Sequence, residues 1–539
     1  MTTIFRYVSP SDWILAGLRG IVLLPLAVWG VSTTLAQERA DFPVNNAHLV
    51  YHDVKTDASG AILPWYNASP AVAYDHNLRL LWSFWHEMRT CGAGIPYYLQ
   101  HQVWKEKQDD ERGIGGDQIN MAMDSWNLLY GYLGDPELHA NMAMIADFWL
   151  NHGMSAPDIL YANLPYPYDL DVCSGRFDGD MRAGRGYLQP DKAASFGAEL
   201  VVLYKLTEKQ RYLEAAVRIA DTLVATVTPG DAGNSPWPFR VNAVTGKPAE
   251  DRRNGKVFTA AYTSNWTPAL RLFSDLQELR QGKTSSYRRT AEVVEAWLKT
   301  YALPANKWGP FFEDIPTADY SDTEINADTM AAYILDHPEW DRDGKAQALK
   351  ILHWTEDRLG NHSFAALHVT PINEQTVFEM PGNSHTARHA WVKLLYCEKS
   401  GDCGGRQDEV RRLNWATYSV NDDGKNRYPQ DDIWLTDGYG DYVRHYLRAM
   451  ASMPELAPDD QNHLLRTSSV IQEIEYATSA IKYRKFDLRS EERFKLGAGI
   501  PLRVRGGKFT WDPKTKVLTV HSSAREVGIV LKPTGTSTR

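Results

Sequence analysis

The sequence predicts a mainly α-helical fold with a small antiparallel β unit at its carboxyl end. Three observations lead to this prediction. Apolar residues recur with helical spacing along most of the chain. Amphipathic helical stretches alternate with stretches that are apolar on all sides. From about residue 466 onward, the helical spacing gives way to strand-like alternation.

The amphipathic stretches are predicted to be outer helices, each with one face against the protein and the other in solvent. In 136–153 the apolar face is formed at helical spacing by Leu138, Met142, Ile145 and Trp149. The other outer helices are predicted over 69–89, 209–227, 285–301, 343–359 and 405–418.

The stretches between them carry apolar, small and aromatic residues on every side, which is typical of helices surrounded by protein. These inner helices are predicted over 117–134, 191–207, 262–280, 324–337, 383–398 and 434–452. Because outer and inner helices alternate, the chain is predicted to form six helical pairs.

The links between helices show a second regularity. An inner helix leads to the next outer helix by a short link, such as Gly134-Asp135, whereas outer-to-inner links are long, as over 153–190 and 228–261. In an alternating arrangement, all the long links meet at the end where the inner helices begin. The functional site is expected there, because loops carry function and helix N-termini present free N–H groups.

This organisation resembles the six-hairpin (α/α)6 barrel of carbohydrate-active enzymes. The resemblance covers about 69–452 and rests on the alternation of helices and links. It implies a glycoside hydrolase, an unsaturated-uronyl hydrolase or a polysaccharide lyase, and therefore a carbohydrate substrate. The predicted domains are a barrel over 37–465 and a β-rich unit over 466–539, in which apolar and polar residues alternate.

The amino terminus is predicted to be an export signal. Arg6 and Arg19 accompany an apolar run over 21–31, and Thr34-Leu35-Ala36 suits a cleavage site. Residues 1–36 are therefore predicted to be a signal peptide, and the protein to be secreted or periplasmic, with no stable membrane insertion after cleavage. An uncleaved membrane anchor is the alternative.

Four cysteines can pair in an oxidising compartment, and the sequence alone allows three pairings. Cys397 and Cys403 lie close together in CEKSGDC and are predicted to form one disulfide. Cys91 and Cys173 are then left to form the other.

The composition excludes some partners. With a net charge of −9 and no basic patch of the kind that binds nucleic acids, nucleic-acid binding is not expected. No HExxH motif and no Cys/His cluster with zinc spacing is present, so no cofactor is expected. A structural calcium ion held by DRDG (341–344) or NDDGKN (421–426) stays open beside their interpretation as turns. The oligomeric state is left open.

The stretch SGRFDGDMRAGRGYLQP, residues 174–190, is the strongest loop candidate. It is long, charged and rich in glycine, and it leads into the second inner helix. Asp178 and Asp180 are candidate catalytic carboxyls, because glycoside hydrolysis needs two of them, and Arg182 is a candidate substrate contact. A structural Asp–Arg network is the alternative interpretation.

Other carboxyls are predicted at the same end. Asp117 opens the first inner helix, where it is either an N-cap or, as the resemblance to uronyl hydrolases implies, a functional residue. Asp437 in the last inner helix is a further catalytic candidate. The same end carries three more carboxyl groups, those of Glu379, Asp431 and Asp432.

A second constellation suits a different reaction. His385 and Arg388 begin the fifth inner helix in GNSHTARH, and Tyr439 begins the last one. Asparagine, histidine, arginine and tyrosine are the residues that β-elimination of a uronate needs. Helix capping by Asn383 and ordinary hydrogen bonding by His385 and His389 are the alternative, and metal ligation by the two histidines is a minor one.

Aromatic residues complete the candidate site. Trp237 and Arg240, on the proline-containing loop SPWPFRVNAVTGK, suit sugar stacking and carboxylate binding, although a structural hairpin explains them equally well. Trp266, Asn265 and Trp434 are predicted to line the cleft where inner helices start.

The sequence therefore predicts an exported glycosidase that hydrolyses a poly- or oligosaccharide, with a uronate-containing substrate left open. A polysaccharide lyase that cleaves a uronate polymer is the first alternative, and a non-catalytic sugar-binding protein is the second.

Overall fold

The structure is a computed structural model that describes residues 48–49, 52–86, 102–103, 111–112, 116–171, 174–253, 255–311, 321–426, 437–497 and 499–533. Residues Val44–Arg539 form one compact unit. Its described part is mainly helical, with antiparallel sheets at the carboxyl end, which confirms the fold class at that level. The predicted signal peptide, Cys91, Cys173 and Trp434 lie outside the described residues.

The longer helices of the described residues number twelve, as predicted. They are α1 (Pro70–His86), α2 (Gly116–Leu133), α3 (Glu137–His152), α4 (Pro190–Thr207), α5 (Gln210–Thr226), α6 (Thr267–Glu278), α7 (Thr284–Trp297), α8 (Glu324–Asp336), α9 (Gly344–Leu359), α10 (Asn383–Ser400), α11 (Arg406–Ala416) and α12 (Asp437–Ser452). A π-helical turn, Leu298–Ala302, and a short helical turn, Leu303–Ala305, continue α7. Short 3-10 helices cover His362–Leu367, Thr417–Ser419 and Pro454–Leu456.

Six of these helices contact one another in a closed cycle. Contacts run from α2 to α4, then to α6, α8, α10 and α12, and from α12 back to α2. The helices of this cycle are those predicted to be inner helices. In α4 this is visible in the burial pattern, because even Asp191, Lys192 and Glu199 are buried.

Each inner helix packs against a partner among the outer helices, and α4, α6 and α10 also contact a second outer helix. The pairs are α2 with α3, α4 with α5, α6 with α7, α8 with α9, α10 with α11 and α12 with α1. The predicted apolar face of α3 is the buried one, since Leu138, Met142, Ile145 and Trp149 all lie in the core. Burial of such one-sided apolar faces is the main force that holds the outer helices in place.

One inner helix begins later than predicted. Helix α6 starts at Thr267, with Pro268 in its first turn, whereas the sequence predicted a start at residue 262. The residues before it bond elsewhere, because the Ser264 N–H donates to the Trp308 carbonyl at 3.0 Å. This extended segment brings Asn265 to the end of the helix cycle where the long links lie.

Short strands occupy the first part of the unit and several of the long links. They are β1 (His48–Leu49), β2 (His52–Asp53), β3 (Gln102–Val103), β4 (Glu111–Arg112), β5 (Gly179–Asp180), β6 (Gly184–Arg185), β7 (Tyr187–Leu188), β8 (Val241–Asn242), β9 (Glu250–Arg253), β10 (Lys256–Thr259), β11 (Asn373–Gln375) and β12 (Phe378–Pro381). The β7–β8 pair ties the second long link to the third.

The carboxyl-terminal residues form two four-stranded antiparallel sheets. The strands are β13 (His463–Thr467), β14 (Ile471–Ala477), β15 (Ala480–Lys485), β16 (Ser490–Lys495), β17 (Gly499–Arg505), β18 (Gly507–Asp512), β19 (Val517–Ser522) and β20 (Glu526–Pro533). One sheet has the order β13-β16-β19-β18, and the other has the order β14-β15-β20-β17. Strand β13 contacts α2 and α12, and His463 and Arg466 bond to Tyr132 and Ser452, so this unit packs on the carboxyl ends of these two inner helices.

The disulfide Cys397–Cys403 is present, with the two Cα atoms 4.7 Å apart. It closes the link between α10 and α11, as predicted from CEKSGDC. Within the ranges given above, no helix has the length and apolar character that a bilayer crossing requires.

Candidate functional site

The candidate site is a group of buried polar side chains at the N-terminal ends of the inner helices. Such residues are uncommon in a core unless they are paired or functional. They are Asn120 in α2, Asp191 and Lys192 in α4, Asn265 before α6, Glu324 and Asn326 in α8, and His385 and Arg388 in α10.

Glu324 is the first centre of this group. Its Oε2 atom lies 2.8 Å from Nδ1 of His385 and accepts a hydrogen bond from Nη1 of Arg388 at 2.5 Å. All three side chains are almost fully buried. Gly382 makes this arrangement fit, because a Cβ atom there would lie 2.3 Å from Cδ2 of the His385 ring.

Burial shifts both titrating groups of this triad away from their charged forms. It raises the pKa of Glu324 well above its ordinary value, with the charge of Asp328 adding to the rise and Arg388 opposing it. Burial, together with the positive charge of Arg388, holds the pKa of His385 well below its ordinary value. Burial therefore favours the uncharged form of each of these two groups.

Asp191 is the second centre. Its Oδ2 atom accepts hydrogen bonds from Nζ of Lys192 and from Nδ2 of Asn265, both at 2.9 Å. Lys192 also donates to the Phe311 carbonyl at 2.9 Å and lies 3.3 Å from the centre of the Phe311 ring. Asn120 joins the same group by donating to the Lys192 carbonyl at 3.1 Å.

Apolar and polar contacts connect the two centres. Met121 from α2, Phe311 from the link before α8 and Ile325 from α8 form one buried cluster. On the polar side, Nδ2 of Asn326 donates to the Trp308 carbonyl at 3.0 Å and is shared with two neighbouring carbonyls. Helices α2, α4 and α8 therefore meet around this link.

Several buried polar atoms of this group have no hydrogen-bond partner among the described residues. They are Oδ1 of Asn120, Oδ1 of Asp191, Oε1 of Glu324, Oδ1 of Asn326 and Nε1 of Trp266. An unpartnered buried polar atom costs about 1–3 kcal/mol, so several at the start of neighbouring helices are what a polar ligand would satisfy.

A second group of charged residues lies next to Glu324, where hydrogen bonds connect Asp328, His389 and Glu356 in series. Asp328, one turn further along α8, lies 2.7 Å from Nδ1 of His389 and accepts from Oγ1 of Thr355, also at 2.7 Å. The other ring nitrogen of His389 lies 3.4 Å from Glu356. Against the effect of burial, Asp328 and Glu356 raise the pKa of His389.

Further along the inner helices, oppositely charged residues join neighbours across the cycle. Asp124 of α2 pairs with Arg448 at 2.7 Å and Arg444 at 3.3 Å, both from α12. Glu199 of α4 pairs with Arg271 of α6 at 2.7 Å. Burial raises the pKa of Glu199 to about 7, although Arg271 opposes the rise.

The structure places Asp180 in a saturated buried network. Its Oδ1 atom accepts from the N–H groups of Arg182 and Ala183, and its Oδ2 atom accepts from Gln189 at 2.6 Å and Arg240 at 3.2 Å. Asp180 is fully buried. This is the geometry of the structural Asp–Arg network that the sequence left open.

The other charged residues of the loop also pair with one another. Arg185 contacts Asp178 and donates to Asp171 at 2.6 Å. Arg182 lies 3.4 Å from Asp251 of β9, which links the loop to the third long link. These pairs anchor the loop, and the role of Arg182 in substrate binding stays a prediction.

Two of the predicted aromatic residues belong to the core. The Trp237 ring is fully buried and its Nε1 donates to the Leu223 carbonyl at 3.0 Å. The ring of Trp266 packs against it, with 4.9 Å between ring centroids. Neither ring is exposed for stacking on a sugar, whereas Asn265 beside Trp266 does contact the Asp191 centre.

Asn383 opens α10 without capping it. Its Nδ2 atom donates to Oγ of Ser419 and to Oδ1 of Asn426, both at 2.6 Å. Asp117, Asp437 and Tyr439 lie in the first turns of α2 and α12, as predicted. Their side chains lie outside the described atoms, as does that of Glu379, and Asp431 and Asp432 lie outside the described residues.

Sequence reasoning missed Asp191, Lys192, Glu324 and Asp328 as site residues. The signal was present, because these are charged residues in stretches that are otherwise apolar on all sides. A charge in the first turn of such a helix must be paired, neutralised or functional. Across the described ranges, no group of three or more His, Cys, Asp or Glu side chains is arranged to hold a metal ion.

No protein-family model matches the sequence, and no curated protein matches it. Solved structures do. A sugar epimerase from a ruminal bacterium matches with a TM-score of 0.51 and 13% identity, over 69% of this chain and 97% of that chain. Cellobiose 2-epimerase from Bacillus thermoamylovorans B4167 matches with a TM-score of 0.52 and 13% identity, over 69% and 98%.

A D-mannose isomerase matches with a TM-score of 0.50 and 9% identity, over 72% of this chain and 100% of that chain. The structural neighbours are carbohydrate-active enzymes built on (α/α)6 barrels, which confirms the resemblance seen in the sequence at the level of the fold. At these identities the likeness shows the fold alone.

Proposed function

We propose that this chain is a carbohydrate-active (α/α)6-barrel enzyme that hydrolyses glycosidic bonds at the N-terminal ends of its inner helices. The closed cycle of α2, α4, α6, α8, α10 and α12 supports the barrel. The structural neighbours with which it shares the fold act on sugars, and this supports carbohydrate as the substrate class.

One observation carries the choice of reaction. Two buried carboxyl groups, Glu324 and Asp191, each have one oxygen atom held by protein donors and one without any donor among the described residues. Hydrolysis of a glycosidic bond requires two carboxyl groups, one as proton donor and one as base or nucleophile. A carboxyl group that protein donors fix on one oxygen suits either role, and for Glu324 burial and the neighbouring Asp328 favour the protonated form.

Glu324 is the proposed proton donor. Because Oε2 accepts from Arg388, the proton of the neutral carboxyl group belongs on Oε1. Transfer of that proton to the glycosidic oxygen lets the bond between this oxygen and the anomeric carbon break. The high pKa of Glu324 keeps the proton in place until the leaving group needs it.

Asp191 is the proposed base or nucleophile. Lys192 and Asn265 hold its Oδ2 atom with hydrogen bonds of 2.9 Å each. Its Oδ1 atom either takes a proton from the attacking water or attacks the anomeric carbon itself. Sugar hydroxyls can donate to the unpartnered oxygens of Asn120 and Asn326 nearby.

Export is proposed as well. The sequence carries an apolar run over 21–31 and a predicted cleavage site after Ala36, and the Cys397–Cys403 disulfide suits an oxidising compartment. The substrate would then be a poly- or oligosaccharide met outside the cytoplasm.

The test is a panel of oligosaccharides incubated with the wild-type protein and with the variants Glu324→Gln and Asp191→Asn. We expect wild-type protein to release new reducing ends from at least one substrate. Each variant should lose about 100-fold or more of this activity while it keeps its fold by circular dichroism.

Glu409→Gln is the matched control. Glu409 is also buried and paired with an arginine, Arg412, but it lies on outer helix α11. The Glu409→Gln variant should have a lower stability than the wild-type protein and retain its activity. Full activity in both Glu324→Gln and Asp191→Asn would contradict the proposed site.

Elimination is a second candidate, which the His385–Arg388 pair favours. A neutral imidazole next to a guanidinium is suited to removing the C5 proton of a uronate whose carboxylate the arginine neutralises. The two reactions give different products. Elimination creates a conjugated double bond with ultraviolet absorbance, and hydrolysis does not.

A further inference from the structure

The outer face of one carboxyl-terminal sheet carries an exposed apolar group. Ile500 and Leu502 in edge strand β17 are 45% and 58% exposed, and Val530 in the neighbouring strand β20 is 37% exposed. In the register of the two strands, Ile500 pairs with Lys532 and Arg503 pairs with Val530. The three aliphatic side chains therefore lie together on one edge of the sheet.

Cations lie among these aliphatic side chains. Arg503, Arg505 and Lys532 are exposed and have no acidic partner among the residues that the structure describes. On the rest of this face the cations are paired with acidic residues. Lys482 lies 3.6 Å from Glu475, and Arg484 lies 2.7 Å from Glu473.

We call this group the β17–β20 patch, and it consists of Ile500, Leu502, Arg503, Arg505, Val530 and Lys532. The only acidic residue of β20, Glu526, lies opposite Arg484 on β15, toward the paired half of the face. The patch is thus positive within a protein whose net charge is −9. Positive charges on an edge strand also discourage aggregation, but that role does not explain exposed leucine and isoleucine.

The combination of cations and aliphatic side chains distinguishes between three possible binding partners of the patch. A second copy of this chain, related by two-fold symmetry, would bring the same arginines against one another, and like charges repel. An acidic polysaccharide would satisfy the cations but would meet aliphatic side chains, whereas sugars stack on aromatic rings. An anionic lipid surface offers both partners, because its headgroups attract cations and its acyl boundary accepts aliphatic side chains.

We propose that the β17–β20 patch is a docking site for an anionic membrane surface, on which the protein binds peripherally. Arg503, Arg505 and Lys532 contact anionic headgroups, and Leu502, Ile500 and Val530 enter the boundary between headgroups and acyl chains. Binding is reversible and weakened by salt, since the headgroup contacts are electrostatic. The inference does not depend on the proposed catalytic site.

The test measures cosedimentation with phosphatidylglycerol vesicles and with phosphatidylcholine vesicles. The protein used begins at Gln37, which leaves the compact unit Val44–Arg539 whole and removes the apolar run over 21–31, because that run would itself enter a bilayer. We expect binding to the anionic vesicles, about tenfold weaker binding to the neutral ones, and loss of most of the anionic preference at high salt.

Two patch variants should separate the contributions. Arg503→Glu/Arg505→Glu should weaken binding to anionic vesicles by about tenfold or more, and Leu502→Ser should weaken binding to both kinds of vesicle. The charge control is Arg288→Glu/Arg289→Glu on α7, and the apolar control is Leu488→Ser, whose leucine is 59% exposed elsewhere. Both controls should bind like the parent protein.

Three results would overturn the proposal. One is equal binding by the patch variants and the controls. Another is dimerisation that Leu502→Ser abolishes, which would identify a second copy as the occupant. The third is retention on an acidic polysaccharide without binding to vesicles, which would identify a carbohydrate-docking surface instead.

Discussion

Asp180 and Asp191 are both fully buried, yet their hydrogen bonds give them different capacities. Both oxygens of Asp180 are occupied, two contacts coming from backbone N–H groups and two from Gln189 and Arg240. Asp191 keeps one oxygen without a donor among the described residues. At the scale of the residue, a carboxyl group whose oxygens all accept protein hydrogen bonds has a structural role, whereas one with an oxygen that has no donor can take part in chemistry.

The substitution Asp180→Asn tests this distinction. It removes the charge of Asp180 from the buried ion pair with Arg240, and breaking a buried pair costs about 3–5 kcal/mol. We expect a lower melting temperature with activity retained in the cold. Unchanged melting together with a loss of about 100-fold or more in activity would return Asp180 to the catalytic role predicted from the sequence.

At the scale of the element, one turn of α8 carries both Glu324 and Asp328. The negative charge of Asp328 adds to the effect of burial in raising the pKa of Glu324. His389 and Thr355, from two other helices, hold Asp328 in place. The helix therefore sets the proton affinity of its own candidate acid.

Asp328→Asn should move the pH profile of activity. Without the Asp328 charge the pKa of Glu324 falls, so the proton that the reaction needs is lost at lower pH. We expect the alkaline limb of kcat/KM to shift toward lower pH, measured on any substrate that the wild-type protein cleaves. Asp336→Asn, at the far end of α8, is the control. An unmoved limb would show that Glu324 is not the proton donor.

The Cys397–Cys403 disulfide also acts at the scale of the element, because it joins the end of α10 to the link before α11. It closes a small loop between two helices, so its entropic contribution is at the low end, about 2 kcal/mol. Cys397→Ser/Cys403→Ser should lower the free energy of unfolding by about this amount, measured in urea. Activity should be unchanged, because the loop lies at the C-terminal end of the inner helix. A variant as stable as the parent would mean that the loop is held by its other contacts.

Helices and their pairing could be predicted from the sequence because burial leaves a local periodic pattern. The start of α6 could not, since residues before it bond to the Trp308 carbonyl from another link. The loop 174–190 was identified as charged, but its partner Arg240 comes from the next long link. Spacing within one segment cannot show that a distant arginine neutralises an aspartate.

Across the whole molecule, Asp124 joins helices that are far apart in the sequence. Burial opposes the charge of Asp124, but Arg448 and Arg444 hold its pKa at about 2. The carboxylate thus contributes stability that is present above the pKa of an unfolded aspartate, about 3.9, and is lost as the pH falls toward 2.

Asp124→Asn should remove that pH dependence. The free energy of unfolding near neutral pH should fall by at least about 2 kcal/mol, and its slope between about pH 4 and 2 should become shallower. Chemical unfolding followed at several pH values would measure both. The control is Asp147→Asn on outer helix α3, which pairs with the more exposed Arg211 at 3.4 Å. An unchanged slope would contradict the role of Asp124.

The pairing of the first helix with the last has a consequence for how the protein is made. Helix α1 contacts α12, and Nδ2 of Asn77 donates to Oη of Tyr442 at 3.3 Å. During synthesis, α1 leaves the ribosome long before its partner exists. The contact of α1 with α12 cannot form until the chain is nearly complete, so apolar residues such as Leu78 and Leu81 lack that part of their packing during synthesis, which makes α1 a natural segment for a chaperone to hold.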